Sequence, residues 1–275
     1  VRSTVGGVRT VTPIAAGDGF SIERVTIRAE AGGWTDPEQA PGYRMTLVRG
    51  GAFRARVGGQ VFLADPATAY LGGPAQEQSI AHRVGAEDVC TAVSMSAPFI
   101  TELTGGAPMR PTAPVTGRLA VAHRLLVARA RRRGDTFALA ETVVELVCGL
   151  FDGPVRREPP GRPATVTARR RLAESAREIL ALEPGTLGLR ETARRVGCSP
   201  YHLSRVFTQE MGISLTAYRN RVRVLHALNA IEAGRTDLAG LAAELGFADH
   251  AHLTRTVRHE CGHTPRALRR LLAAD

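Results

Sequence analysis

Two arginines stand in matching surroundings. Arg205 lies in "SPYHLSRVFTQEMGIS" (199–214) and Arg255 in "DHAHLTRTVRHECGHT" (249–264), each six residues after a Ser or Asp. A guanidinium is a planar fork of donors that pairs bidentately with guanine O6 and N7 or with phosphate. Tyr201 and Ser204 precede Arg205, and Ala251 and Thr254 hold the same places before Arg255. On a helix these spacings put each trio on one face. Leu203, Val206 and Phe207 fall on another face, as do Leu253 and Val257. The chemistry this suits is hydrogen-bonded recognition of an anionic partner. No nucleophile–base pair, phosphate-binding loop or dinucleotide fingerprint accompanies it.

The stretches around the arginines repeat. His202, Leu203, Arg205, Glu210 and Gly212 recur fifty residues later as His252, Leu253, Arg255, Glu260 and Gly262, and Arg219 recurs as Arg269. The repeated histidines suit packing or phosphate contact. Ahead of each copy runs a short amphipathic segment, "LRETARRVG" or "DLAGLAAELGF". Ser199 and Asp249 are N-cap residues, and Pro200 fits a first helical turn that needs no N–H. Each copy therefore predicts helix, tight turn, helix. In such motifs the start of the second helix enters the major groove of DNA. Between the copies, "SLTAYRNRVRVLHALNAIEAG" predicts one long helix from about Leu215 to Ala233. Its length, ~28 Å at 1.5 Å per residue, approaches the ~34 Å between successive major-groove faces.

Charge points the same way. The chain of 275 residues carries a formal net charge of +10, and all 36 of its basic residues are arginine. From Pro163 onward 17 arginines face 11 acidic residues, so the excess is denser where the repeat lies. A basic protein of this kind favours nucleic acid or another polyanion. Cys90, Cys148, Cys198 and Cys261 are scattered without a CxxC pair, which predicts a reducing compartment rather than a zinc module or disulfide scaffold. "VRSTVGGVRTVTP" lacks the apolar core of a signal peptide, and no run approaches a membrane span. The expectation is a cytoplasmic protein with no membrane partner.

The first half has a different period. Residues 18–96 predict short antiparallel strands in a sandwich or small barrel, with glycine pairs at 50–51, 58–59 and 72–73 supplying positive φ at turns. From Gly117, "RLAVAHRLLVARARRR" and "DTFALAETVVELVCGLF" predict two helices joined at Gly134, the second capped by Asp135. Val143, Val144, Leu146 and Val147 crowd one stretch and predict a partner surface, hence a homodimer. The arginine run at 129–134 reads as a solvated helix end. "DGPVRREPPGRPAT" is a linker by composition.

Residues 167–270 resemble the DNA-binding domain of the AraC/XylS family of bacterial transcription regulators. The carrying stretches are "ARRVGCSPYHLSRVFTQEMGISLTAYRNRVRVLHAL" and "LAAELGFADHAHLTRTVRHECGHTPRALRR" with the spacing between them. The resemblance implies base-facing roles for Tyr201, Ser204 and Arg205 in the first motif. In the second it implies them for His250, Ala251, Thr254 and Arg255. Thr192 stands where the family usually has leucine, and Val257 where it usually has phenylalanine; both smaller side chains predict looser packing. The first half resembles, less specifically, the family's cupin-like sensory domain.

The expected fold is thus multidomain α+β: a cupin-like β-barrel over 1–116, a dimerising helical hairpin over 117–152, a linker over 153–166, and an all-α domain over 167–275 with two helix-turn-helix motifs joined by a long helix. The expected function is sequence-specific transcription regulation, as an activator, with double-stranded DNA, RNA polymerase and a small-molecule effector as partners. No catalytic residue, metal or cofactor is expected. Trp34 and His82 are the candidate effector contacts, Trp34 either lining the pocket or covering the barrel mouth. His82 and Cys90, with Glu77 nearby, have ligand chemistry but too few members for zinc, which needs three or four. The competing readings are a cupin metalloenzyme with a DNA-binding appendage, and a regulator whose first domain only dimerises.

Overall fold

The computed structural model describes all residues except 1, 5–6, 41, 75, 107–109, 133–134, 152–161, 186 and 274–275. The chain divides into two compact units, Val1–Gly153 and Pro154–Asp275. The first is mainly β and the second entirely helical among the described residues, so the α+β, multidomain expectation holds.

The first unit contains β1 (Arg2–Thr4), β2 (Gly7–Gly17), β3 (Phe20–Ala29), β4 (Glu38–Gln39), β5 (Tyr43–Gly50), β6 (Phe53–Val57), β7 (Gln60–Ala64), β8 (Thr68–Gly72), β9 (Glu77–Ala81), β10 (Glu87–Met95) and β11 (Thr112–Pro114). They form a seven-stranded sheet, ordered β1-β2-β3-β10-β5-β8-β11, and a four-stranded sheet, ordered β4-β9-β6-β7, all pairs antiparallel. Val25, Val48, Tyr70, Cys90 and Ala92 of the large sheet share one core with Phe53, Ala55, Val57 and Ala64 of the small sheet. The large sheet's other face buries Ile22, Met45, Leu47 and Val93. Helices of this unit lie against its strands β2 and β11. Strand structure therefore starts well before residue 18. The β-branched run Val8, Thr10, Val11, Thr12 supplies the propensity.

Only part of the glycine expectation holds. Gly58 and Gly59 both take positive φ, 54° and 79°, in the two-residue turn joining β6 to β7. Of the other pairs, only Gly51 has positive φ. A side chain there would also collide with the buried Asp88 carboxylate.

Helices α1 (Ala97–Thr104), α2 (Gly117–Arg131) and α3 (Thr136–Phe151) complete the unit. Ser96 caps α1 through the N–H of Phe99, a helix missing from the strand-based reading. Asp135 accepts from the N–H of Phe137 at 2.9 Å and so caps α3. Gly134 lies outside the described residues. The crowded apolar run of α3 finds its partners within the unit: Val143, Leu146 and Val147 are fully buried, with α3 against α1, α2, β2 and β11. The surplus surface expected for dimerisation is therefore absent at those three residues, while Val144, the fourth of the run, is half-buried.

The second unit comprises α4 (Pro163–Leu182), α5 (Leu189–Arg195), α6 (Pro200–Met211), α7 (Leu215–Glu232), α8 (Leu238–Glu244), α9 (His250–Cys261) and α10 (Pro265–Ala273). Most of the expected linker lies outside the described residues, but 163–166 are helical. Pro163 occupies the first turn of α4, where its missing N–H costs nothing, and the Arg162 carbonyl accepts from Thr165 and Val166. No described helix is long and apolar enough to cross a membrane.

Candidate nucleic-acid interface

Both expected caps form. Ser199 accepts from the His202 N–H at 3.2 Å, and Asp249 from the His252 N–H at 2.6 Å. That second bond holds the Asp249 carboxyl below its usual range, with Arg255 contributing less. Gly212 and Gly262 end α6 and α9 in the left-handed region, φ 71° and 77°, which explains why glycine recurs there.

Each second helix buries one face and presents the other. On α6, Leu203, Val206 and Phe207 are buried, and the Phe207 ring lies 5.3 Å from that of Tyr218 on α7. On α9, Leu253, Val257 and Cys261 are buried. The departures from the family pattern are accommodated differently. Val257 is 0% exposed, so the smaller side chain is fully enclosed. Leu268 stands where the first copy has Tyr218, and it too is fully buried. Thr192 is buried with its hydroxyl donated to the Gly188 carbonyl at 2.9 Å, which satisfies its polar group.

The outward faces carry the expected residues. Tyr201 is 76% exposed, Arg205 is exposed and Ser204 half-buried. On α9, His250 and Arg255 are exposed and Ala251 and Thr254 half-buried. Among the described residues neither Arg205 nor Arg255 forms a salt bridge. Several other arginines of this unit are committed internally. Arg194 and Arg195 both bind Glu191, and Arg195 also binds Glu183. Hydrogen bonds from Arg194 and then Arg195 hold Glu191 at about 2. Arg269 donates to the Arg235 carbonyl at 2.9 Å.

The repeated glutamates proved structural. Glu210 on α6 meets Arg169 of α4 at 3.3 Å, and Glu260 on α9 meets Arg221 of α7 at 3.4 Å. The duplicated unit thus starts one helix earlier than the sequence repeat showed: α4-α5-α6, then α7-α8-α9. The extra residue in the second turn is Ala248, whose N–H is directed at His252 Nδ1, 3.4 Å away. His252 also stands edge-on to Phe247, so in the second copy the histidine has a packing role. His202 is exposed.

The candidate effector residues have different side-chain partners. Trp34 lies beneath the Arg56 guanidinium, 4.1 Å from ring centroid to carbon. Arg56 is on the exposed face of β6, whose other face supplies Phe53, Ala55 and Val57 to the core. His82 Nδ1 is 2.6 Å from Oδ2 of the buried Asp88, and its ring is 5.3 Å from Phe53. Cys90 is in the core, where burial raises its thiol pKa. Among the described residues no group of three or more His, Cys, Asp and Glu is placed to hold a metal.

A residue that sequence reading missed is Arg44. On β10, Ser94 follows Cys90 and Ala92 at spacing two and faces the same inter-sheet space. It pairs in register with Ser21 and Arg44. These residues line a cleft of about 360 Å³ with Tyr43 and Ser96. Arg44 meets Glu23 at 3.1 Å, and burial followed by Arg9 lowers its pKa. Lone residues of alternating strands give no sequence signal for such a cluster.

Residues 192–271 match a family model described as "Helix-turn-helix domain". An uncharacterized HTH-type transcriptional regulator of Staphylococcus aureus (strain MSSA476) is 31% identical over 83 residues, 30% of this chain and 11% of that protein. Regulatory protein PocR of Salmonella typhimurium is 29% identical over 99 residues, 36% of this chain and 33% of PocR. The chain thus spans a third or less of these relatives' lengths. Among solved structures, the AraC-like transcriptional activator CuxR aligns with a TM-score of 0.42 and 14% identity, over 82% of this chain and 83% of CuxR. The capped, duplicated helix pairs and the matched segment together show that the C-terminal unit of this chain carries a helix-turn-helix domain.

Proposed function

We propose that the whole chain is a sequence-specific transcription regulator whose α6 and α9 read adjacent major-groove segments of one DNA duplex. The observation that carries this reading is the pair Arg205 and Arg255: equivalent in the repeat, exposed, and in no salt bridge among the described residues. Tyr201, Ser204, His250, Ala251 and Thr254 flank them on the same faces. The connecting α7 has 18 residues. Its length of ~27 Å suits two readers on successive turns of a duplex. The test is binding of the full chain to duplex DNA at rising salt. Six or more phosphate contacts would make affinity fall by about 10³-fold or more between 50 and 200 mM salt. Salt-insensitive binding, or none, would contradict the reading.

Control by a small molecule belongs to this proposal. The cleft at Arg44 joins one guanidinium, which also meets Glu23, to the hydroxyls of Ser21, Ser94 and Tyr43. Phe20 and Met95 make the rest of the lining mostly apolar, so the site suits a small effector with an apolar body and a polar or anionic end. A thermal-shift screen of such compounds on the full chain should give hits that stabilise the wild type and lose their effect in Arg44→Ala. Hits that stabilise both equally would move the effector elsewhere, with the surroundings of Trp34 and His82 next in line. Homodimerisation keeps a narrower basis than the sequence suggested. Among the described residues of the hairpin, Phe137 is the large apolar side chain left open, 70% exposed. Contact with RNA polymerase and activation of transcription follow from the family resemblance and form part of the same reading.

A further inference from the structure

The two helix-turn-helix lobes meet around one buried side chain of α7. Arg223, midway along α7, is 3% exposed. Its Nε donates to the Pro184 carbonyl at 2.8 Å and its Nη2 to the Gly185 carbonyl at 3.1 Å. These carbonyls belong to the loop between α4 and α5, in the first lobe. Its guanidinium carbon also lies 5.5 Å from the ring centre of Phe247, in the turn between α8 and α9 of the second lobe. One side chain therefore holds a loop of the first lobe and packs on the turn that launches the second recognition helix.

The backbones touch beside it. A methyl group on Gly246 would come within 2.0 Å of the Gly185 oxygen and 2.4 Å of Arg223 Nη2. One on Gly185 would come within 2.1 Å of the Glu244 oxygen. Gly246 also has φ 69°, so its identity has a second reason. Gly185 has no positive φ, and closeness alone requires it to be glycine. Phe247 passes the contact onward, its ring meeting His252 of α9 edge-on at 5.3 Å. Purely apolar packing could let the lobes slide or rock. Two directed bonds from one guanidinium to consecutive carbonyls fix both distance and angle. Burial, and then Arg219, draw Arg223 down to about 10, so it remains charged at neutral pH.

We propose that Arg223, Gly185 and Gly246 form a rigid coupler that sets the position and rotation of α9 relative to α6, and so the spacing at which two DNA segments are read together. The inference rests on the reading of α6 and α9 as paired DNA readers. All three are positioning residues, not DNA contacts.

The test compares full-chain wild type, Gly185→Ala and Arg223→Gln on the duplex that the wild type selects from a random pool. The same duplex with one base pair inserted between the two segments is measured alongside, with helical circular dichroism as a check of folding. Gly185→Ala removes no side-chain donor or acceptor, so it decides the matter if Arg223→Gln fails to fold. The wild type should bind the inserted duplex at least about tenfold more weakly, the scale of a lost base contact. In the variants the native site should weaken, and the ratio between the two duplexes should shrink toward one. An unchanged ratio in a folded variant, even with uniformly weaker binding, would overturn the coupler. So would a wild type indifferent to spacing. A wild type without any sequence preference would instead remove the DNA reading on which the coupler rests.

Discussion

Phe207→Ala should destabilise the C-terminal unit by about 3–5 kcal/mol, the cost of emptying a buried aromatic site that cannot collapse fully. Phe207 is fully buried at the root of α6 and tilted against Tyr218, which ties the first reader to the long helix. Few single changes in this unit would remove as much packing. The composition of the chain makes the effect separable. Its sole tryptophan, Trp34, lies in the other unit, so tryptophan fluorescence follows the β unit while helical circular dichroism is weighted to the C-terminal one. The helical transition should move to lower temperature while the fluorescence transition stays near its wild-type position. Val257→Ala at the equivalent place in α9 should move it less, because fewer methylenes are lost. Equal shifts for both variants would show that the two lobes rest on equivalent cores.

Arg205→Ala should weaken binding to the specific site by about 1–3 kcal/mol and relax preference at one base position, as loss of a bidentate guanine contact does. Arg255→Ala should cost less and act mostly as loss of a phosphate contact. The asymmetry has two sources. Around Arg205 stand Tyr201 and Ser204, whereas Arg255 has Ala251 in the tyrosine's place. Beneath α9, Val257 and Leu268 occupy the positions that Phe207 and Tyr218 hold under α6. A base-by-base affinity scan of wild type and both variants measures the difference. Equal, sharply base-specific losses would reject the asymmetry and leave two-reader binding intact. No loss for either would mean that the docking face itself is misassigned.

Legibility from sequence followed the range of the interactions. The caps at Ser199 and Asp249, the Gly58–Gly59 turn and the exposed faces of α6 and α9 all depend on residues within a few positions, and each was readable. The anchors of the two glutamates were not. Glu210 finds Arg169 forty-one residues earlier and Glu260 finds Arg221 thirty-nine earlier, so the arginines do not share the offset of the rest of the repeat. In the β unit the alternation of β3 showed a strand, but not its neighbour. It pairs with β10, Cys90 opposite Val25, sixty-five residues away in the sequence. Apolar periodicity in α3 likewise told which residues want cover, not how many elements supply it. That is why Val143, Leu146 and Val147 suggested a partner surface that the unit itself provides. Arg44 gained its setting only through register with Ser94 and Ser21, which no local pattern encodes.

The most direct test of two-reader binding is selection of duplex DNA by the full chain from a random pool, sequenced after several rounds at physiological salt. The account predicts two enriched segments whose centres lie about one helical turn, ~10 base pairs, apart, with the segment under α6 more sharply defined than the one under α9. Enrichment of a single segment, or of two at a spacing that puts them on opposite faces of the duplex, would contradict it.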